Sequence, residues 1–231
     1  MIAPPVVSGG IAVRVVSLIT GLFVCALAIV LMLGANLGLG PWDVLSQGIS
    51  RHVDLSFGAI TVAVSFVVLV IAWGFGARIG FGTVANAALI GTFIGLLLRI
   101  DALNELSERP LGVRIALLVA GLAAFGVGSA LYLGAALGAG PRDSLMLVLA
   151  HRTHVRIGIV RTCLEVAVGV AGFALGGSVG VGTIAFALGI GFAVEVSCTA
   201  LVRLKLARHA AVGASTPWIR GYDRGEMESA G

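Results

Sequence analysis

Gly34-Ala-Asn-Leu-Gly-Leu-Gly-Pro-Trp-Asp-Val-Leu45 and Gly134-Ala-Ala-Leu-Gly-Ala-Gly-Pro-Arg-Asp-Ser-Leu145 are one motif written twice, one hundred positions apart. Gly34, Gly38, Gly40, Pro41, Asp43 and Leu45 recur as Gly134, Gly138, Gly140, Pro141, Asp143 and Leu145. The glycines let the backbone turn and approach other chain closely. Proline at a first helical position has its φ preset and no amide hydrogen to leave unbonded. Aspartate two residues on falls in the first turn, where free amides and the helix dipole favour negative charge. Each copy therefore reads as a loop followed by a helix start, with helices able to run from Pro41 to His52 and from Pro141 to Arg152. Such a helix is about 18 Å long, against a hydrocarbon core of about 30 Å. Both read as short half-helices, the tips of broken or re-entrant membrane segments.

The surrounding composition requires a membrane. Of 231 residues, 58% are hydrophobic and 11% charged, where a soluble domain carries about 25% charged residues. Several apolar runs reach about 20 residues, enough to cross a bilayer. The fold class is an all-α polytopic membrane protein whose partner is the lipid bilayer. The net charge of +4 does not point to nucleic acid, because the arginines lie in short loops between apolar runs and act as topology signals. Cys25, Cys163 and Cys198 are odd in number and sit inside apolar runs. They form neither a disulfide framework nor metal spacing, and read as packing. No metal or cofactor motif is present. The first apolar run is read as a retained span and not a signal peptide: it is too long, its flank is poor in positive charge, and its counterpart at 114–133 is internal.

Taken in order, residues 1–13 form a short tail and 14–100 a first membrane repeat. A polar linker covers 101–113, a second repeat 114–203, and a polar tail expected to be disordered 204–231. Full spans are expected at 14–33, 56–77, 79–100, 114–133, 157–176 and 179–202, six in all. The correspondence extends past the motif: Gly21 with Gly121, Gly58 with Gly158, Gly80-Phe-Gly-Thr83 with Gly180-Val-Gly-Thr183. Three spans per half is odd, so the second half should be inverted in the membrane. The loop charges agree. Arg51 and Asp54 cancel, whereas Arg152 and Arg156 leave the equivalent loop basic, with His151 and His154 beside them; Arg78 has an uncharged counterpart at 176–180. Positive charge thus swaps between equivalent loops, and both termini fall in the cytoplasm. The rival topology makes each half-helix a full span, giving four plus four with parallel halves. Arg51, Arg99, Arg109 and Arg114 favour it; the Gly, Pro, Asp, Gln and Ser content of 34–54 opposes it.

Gly-Leu-Gly-Pro-Trp-Asp-Val-Leu-Ser-Gln-Gly at 38–48, Gly-Ala-Gly-Pro-Arg-Asp-Ser-Leu-Met-Leu at 138–147, Arg-Thr-Cys-Leu-Glu-Val at 161–166 and the two Gly-x-Gly-Thr segments resemble the bacterial YczE/YyaS/YitT-like membrane proteins. The resemblance covers about residues 14–200 and is nearer to the YczE branch. It implies a bacterial plasma-membrane location and supplies no biochemical activity.

Charges inside spans are costly and mark candidate sites. Arg161 and Glu165 lie one helical turn apart in the fifth span, opposite Thr61 and Ser65 of the first half. Glu195 lies in the sixth span opposite Gly95, and Arg142 replaces Trp42 beside Asp143. A central site would bring together Asp43, Asp143, Arg142, Gly40 and Gly140, with Arg161, Glu165, Glu195, Gln47 and Asn86 as further candidates. Two helix N-termini and Arg142 would favour an anionic group. The competing assignments are helix caps for the aspartates and an internal anchoring pair for Arg161 and Glu165. No nucleophile–base arrangement is visible, so no enzyme activity is expected. A small transporter or permeation protein is the leading expectation, with an unidentified small solute. A non-transporting membrane scaffold or accessory partner is the alternative, and homo-oligomerisation is open.

Overall fold

The computed structural model of the chain describes residues 6–100, 105–204 and 206–208. Among these the α-helices are α1 (Ile11–Ala35), α2 (Pro41–Ser50), α3 (Phe57–Gly74), α4 (Phe81–Leu97), α5 (Leu111–Gly134), α6 (Pro141–Thr153), α7 (Ile157–Ala174) and α8 (Val181–Arg203). A 3-10 turn at Glu105–Glu108 precedes α5. Five helices, α1, α3, α5, α7 and α8, are long and apolar enough to cross a membrane. Where a sixth span was expected over 79–100, α4 is shorter, at 17 residues. Its start is fixed by Gly80, whose amide donates to Thr83 Oγ1 at 3.2 Å, and its last turn closes through Leu98 N–H to Ile94 O. It still rises about 26 Å, at the lower limit of spanning length.

The most buried of the five long helices is α1, with Leu18, Leu22, Cys25, Ala26 and Ala28 inaccessible. It lies against α5 along most of its length. Gly21 and Gly128 let the two backbones close: a methyl group on Gly128 would fall 2.7 Å from Gly21 O and Cys25 Sγ. Small residues at a helix crossing gain dispersion contacts that lipid cannot match.

Arginines at the two helix starts fix their direction. Arg14 Nε and Nη2 donate to Ala135 O and Ala136 O, each at 2.7 Å. Arg114 Nε and Nη2 donate to Ala35 O at 2.8 Å and Asn36 O at 2.7 Å. The start of each helix thus caps the end of the other, so α1 and α5 run antiparallel. The guanidinium fork satisfies carbonyls that the helix itself leaves unbonded. Replacing either arginine by alanine is expected to lower stability by about 2 kcal/mol, visible as a fall in Tm in detergent. Lysine at either position should not restore it, because an ammonium lacks the fork that reaches two carbonyls together.

The remaining helices pack as α5 with α8, α3 with α4, α2 with α7, α1 with α4 and α3 with α6. The large apolar side chains left outside, such as Val119, Phe173, Leu188 and Phe192, suit contact with lipid. Part of the first tail forms a short strand. Val6–Val7 pairs antiparallel with Ala207–Arg208, and Ser8 N–H donates to Leu206 O at 2.9 Å. The two ends of the membrane region therefore lie on one side. The tail expected to be disordered, from residue 209 on, and linker residues 101–104 lie outside the described residues.

Candidate functional site

Both copies of the motif dock in the same way. The chain leaves α1 through Asn36, which is left-handed at φ 48°. Leu37 O then accepts from Gly182 N–H at 2.7 Å, at the start of α8. The chain leaves α5 through Ala136 at φ 50°, and Leu137 O accepts from Gly82 N–H at 2.9 Å, at the start of α4. Each motif carbonyl occupies an amide that a helix start leaves free. Gly38 and Gly138, at φ 111° and 148°, hold backbone that other residues rarely adopt. A side chain at Gly38 would also meet Gly180 N at 2.7 Å, and one at Gly138 would meet Thr83 Oγ1 at 2.6 Å.

From these loops α2 and α6 start at Pro41 and Pro141, behind N-caps Gly40 and Gly140. A methyl group on Gly40 would fall 3.1 Å from Phe186 Cε1 of α8; one on Gly140 would fall 3.2 Å from Asn86 Nδ2 of α4. The two helix tips thus rest on residues one hundred apart, one aromatic and one amide.

The carboxylates act beyond their own helices. Asp43, 3% exposed, faces Arg142, 28% exposed, with Oδ1 to Nη2 at 3.5 Å. The Arg142 guanidinium also lies 5.3 Å from the centre of the Trp42 ring, a cation–π distance. Asp143 Oδ2 accepts from the Tyr132 hydroxyl at 2.6 Å. The structure therefore gathers Asp43, Arg142, Asp143, Gly40 and Gly140, with Asn86 beneath one tip. Tyr132, Trp42 and Phe186 join them and were not singled out from the sequence. Tyr132 carried a signal: a phenol inside an apolar span, two residues before the motif, where the first half has Met32.

The other candidates are elsewhere. Gln47 Oε1 accepts from Ser178 N–H at 2.6 Å, tying α2 to the loop before α8. Arg161 Nε reaches Glu165 Oε1 at 2.9 Å on α7, with the side chains 44% and 20% exposed. Glu195 is exposed on α8, in a groove of about 370 Å³ with Phe192, Thr199 and Arg203. None of these three ionisable residues touches the Asp43–Arg142 pair.

Residues 12–199 match the family described as "Family of unknown function (DUF6198)". A Haemophilus influenzae protein titled "Uncharacterized protein" is 38% identical over 170 residues, covering 74% of this chain and 76% of that protein. The Bacillus subtilis protein titled "Uncharacterized membrane protein YczE" is 31% identical over 207 residues, covering 85% of this chain and 93% of that one. No solved structure matches.

Proposed function

The chain belongs to the DUF6198 family as a multi-pass membrane protein, and we propose that it is a small transporter or permeation protein whose solute carries an anionic group that competes with Asp43 for Arg142. The observation that carries this reading is the ion pair itself. It joins the tips of two short helices, one partner buried and the other partly open. Both helix N-termini favour negative charge, so an anion arriving at Arg142 enters a field already suited to it. A carboxylate fixed in that place holds the site when no solute is present.

In this reading the chain is a duplicated unit, its halves inverted, and α2 and α6 are half-helices that do not cross. Support comes from the antiparallel course of α1 and α5; four crossings per half would make them parallel. The ten residues of α2 rise only about 15 Å. The location is the bacterial plasma membrane with both termini cytoplasmic. The basic loop at Arg152 and Arg156 supports that orientation, and the bacterial relatives support the compartment.

The test is binding of small carboxylates, phosphate and sulfate to purified protein, read as a shift in Tm. Arg142→Gln should lose the response of the parent, at least tenfold in apparent affinity. Asp43→Asn removes the internal competitor and should tighten binding about tenfold, equivalent to about 1.4 kcal/mol. Both should lose flux in proteoliposomes, since neither retains the exchange. Anion responses equal to the parent's in both variants would remove the proposed site.

A further inference from the structure

Two equivalent seams in the bundle differ. Between α3 and α4 the seam is shut: a side chain at Gly58 would meet Gly95 N at 2.7 Å, and one at Gly91 would meet Val62 Cγ2 at 2.6 Å. Thr61 and Ser65 of α3 are buried. Between α7 and α8 there is no comparable packing. Gly158 and Gly191, one hundred positions on, have open space where a side chain would project. The positions of Thr61, Ser65 and Gly95 are taken by Arg161, Glu165 and Glu195. The inner end of the open seam is the tip of α2: Pro41 lies against Gly169 of α7, and Gly40 against Phe186 of α8. That tip carries Asp43.

We propose that the α7–α8 seam is a gate over the Asp43–Arg142 site, described here in its open position, and that it closes by α7 and α8 meeting at Gly158 and Gly191 with Arg161 turning from Glu165 to Glu195. The proposal rests on the duplicated, inverted reading above and adds the route by which the solute reaches the site. Its chemistry follows from charge at depth. A carboxylate facing hydrocarbon is costly unless paired or wetted. In the open position Arg161 serves Glu165, and Glu195 is exposed in a groove along α8. On closing, Glu195 moves to the Gly158 side of the seam, as Gly95 sits beside Gly58. Arg161, one turn from Gly158, is then a cation on the facing helix, whereas Arg203 lies two turns along α8 from Glu195. The solvated cleft and the closed bridge are two ways of satisfying the same carboxylate, and the equilibrium between them is the gate.

The experiment uses the full chain with Cys25, Cys163 and Cys198 replaced, carrying Gly158→Cys and Gly191→Cys. Both positions have room for the side chain, and closure would bring the two Cα atoms to the roughly 4.4–6.8 Å a disulfide requires. Oxidation in native membranes should give an intrachain disulfide, and adding Glu195→Gln should lower its yield at least fivefold. Absence of the disulfide, or a product only between chains, overturns the gate; the second result would assign this face to a contact between copies. A yield unaffected by Glu195→Gln overturns the role given to the bridge. The Arg142→Gln binding result is read independently: binding lost with no disulfide keeps the site and removes the gate, whereas a disulfide with unchanged anion binding removes the site and keeps the hinge.

Discussion

Gly91→Val is expected to leave almost no folded protein in the membrane, while Gly191→Val is recovered like the parent. The first substitution places a branched side chain on the Gly58 carbonyl and on Val62, with Val62 N only 2.8 Å from its Cβ. The obstacle is mostly backbone, so no rotamer change relieves it. Overpacking costs about 1–3 kcal/mol where side chains can shift, and more where they cannot. The second substitution projects into open space. Fluorescence-detected size exclusion of the two variants, extracted in parallel, measures the difference. Equal damage from both would mean that α7 and α8 are packed together in the membrane as α3 and α4 are.

Gly182→Ala is expected to be the second most damaging change, and to remove function as well as stability. A methyl group there would overlap the Gly38 carbonyl and come 3.0 Å from Leu37 O, beside the hydrogen bond from Gly182 N to Leu37 O. The loop would have to lift, carrying Gly40, Pro41 and Asp43 with it. Loss of a buried backbone hydrogen bond together with the clash amounts to about 2–4 kcal/mol. The equivalent Gly82→Ala is milder, because its nearest contact is Leu137 C at 3.0 Å. The expected order of Tm is parent, then Gly82→Ala, then Gly182→Ala. The anion response should disappear in the last. A Gly182→Ala protein that keeps both would show that this docking does not position the tip.

The helix starts were legible because Gly-Pro-x-Asp encodes them locally. Proline fixes one backbone angle, glycine permits the turn before it, and the observed α2 and α6 begin at Pro41 and Pro141. The Arg161–Glu165 pair was equally readable, since four residues make one turn. Partners that come from distant chain were not readable. Nothing local says that Asp43 faces Arg142 while Asp143 faces Tyr132. The aspartates looked alike, and the difference lies in what the other half brings to each. Arg14 and Arg114 read only as residues that open spans, because a guanidinium reaching across to another helix's last carbonyls leaves no mark in spacing. Glu195 invited a central role because it is an acidic residue in an apolar run. The α7–α8 seam lacks the packing of the α3–α4 seam, although sequence gives the first Gly158 and Gly191 where the second has Gly58 and Gly91.

The reciprocal arginine caps also bear on how the chain is made. When α1 emerges, the carbonyls of Ala35 and Asn36 lack their donor, which is still unsynthesised about eighty residues downstream. The amino-terminal portion must wait in an unfinished state until Arg114 arrives. A gene cut in the linker would therefore yield two fragments that are each incomplete at one helix end, and that become stable only when produced in the same cell.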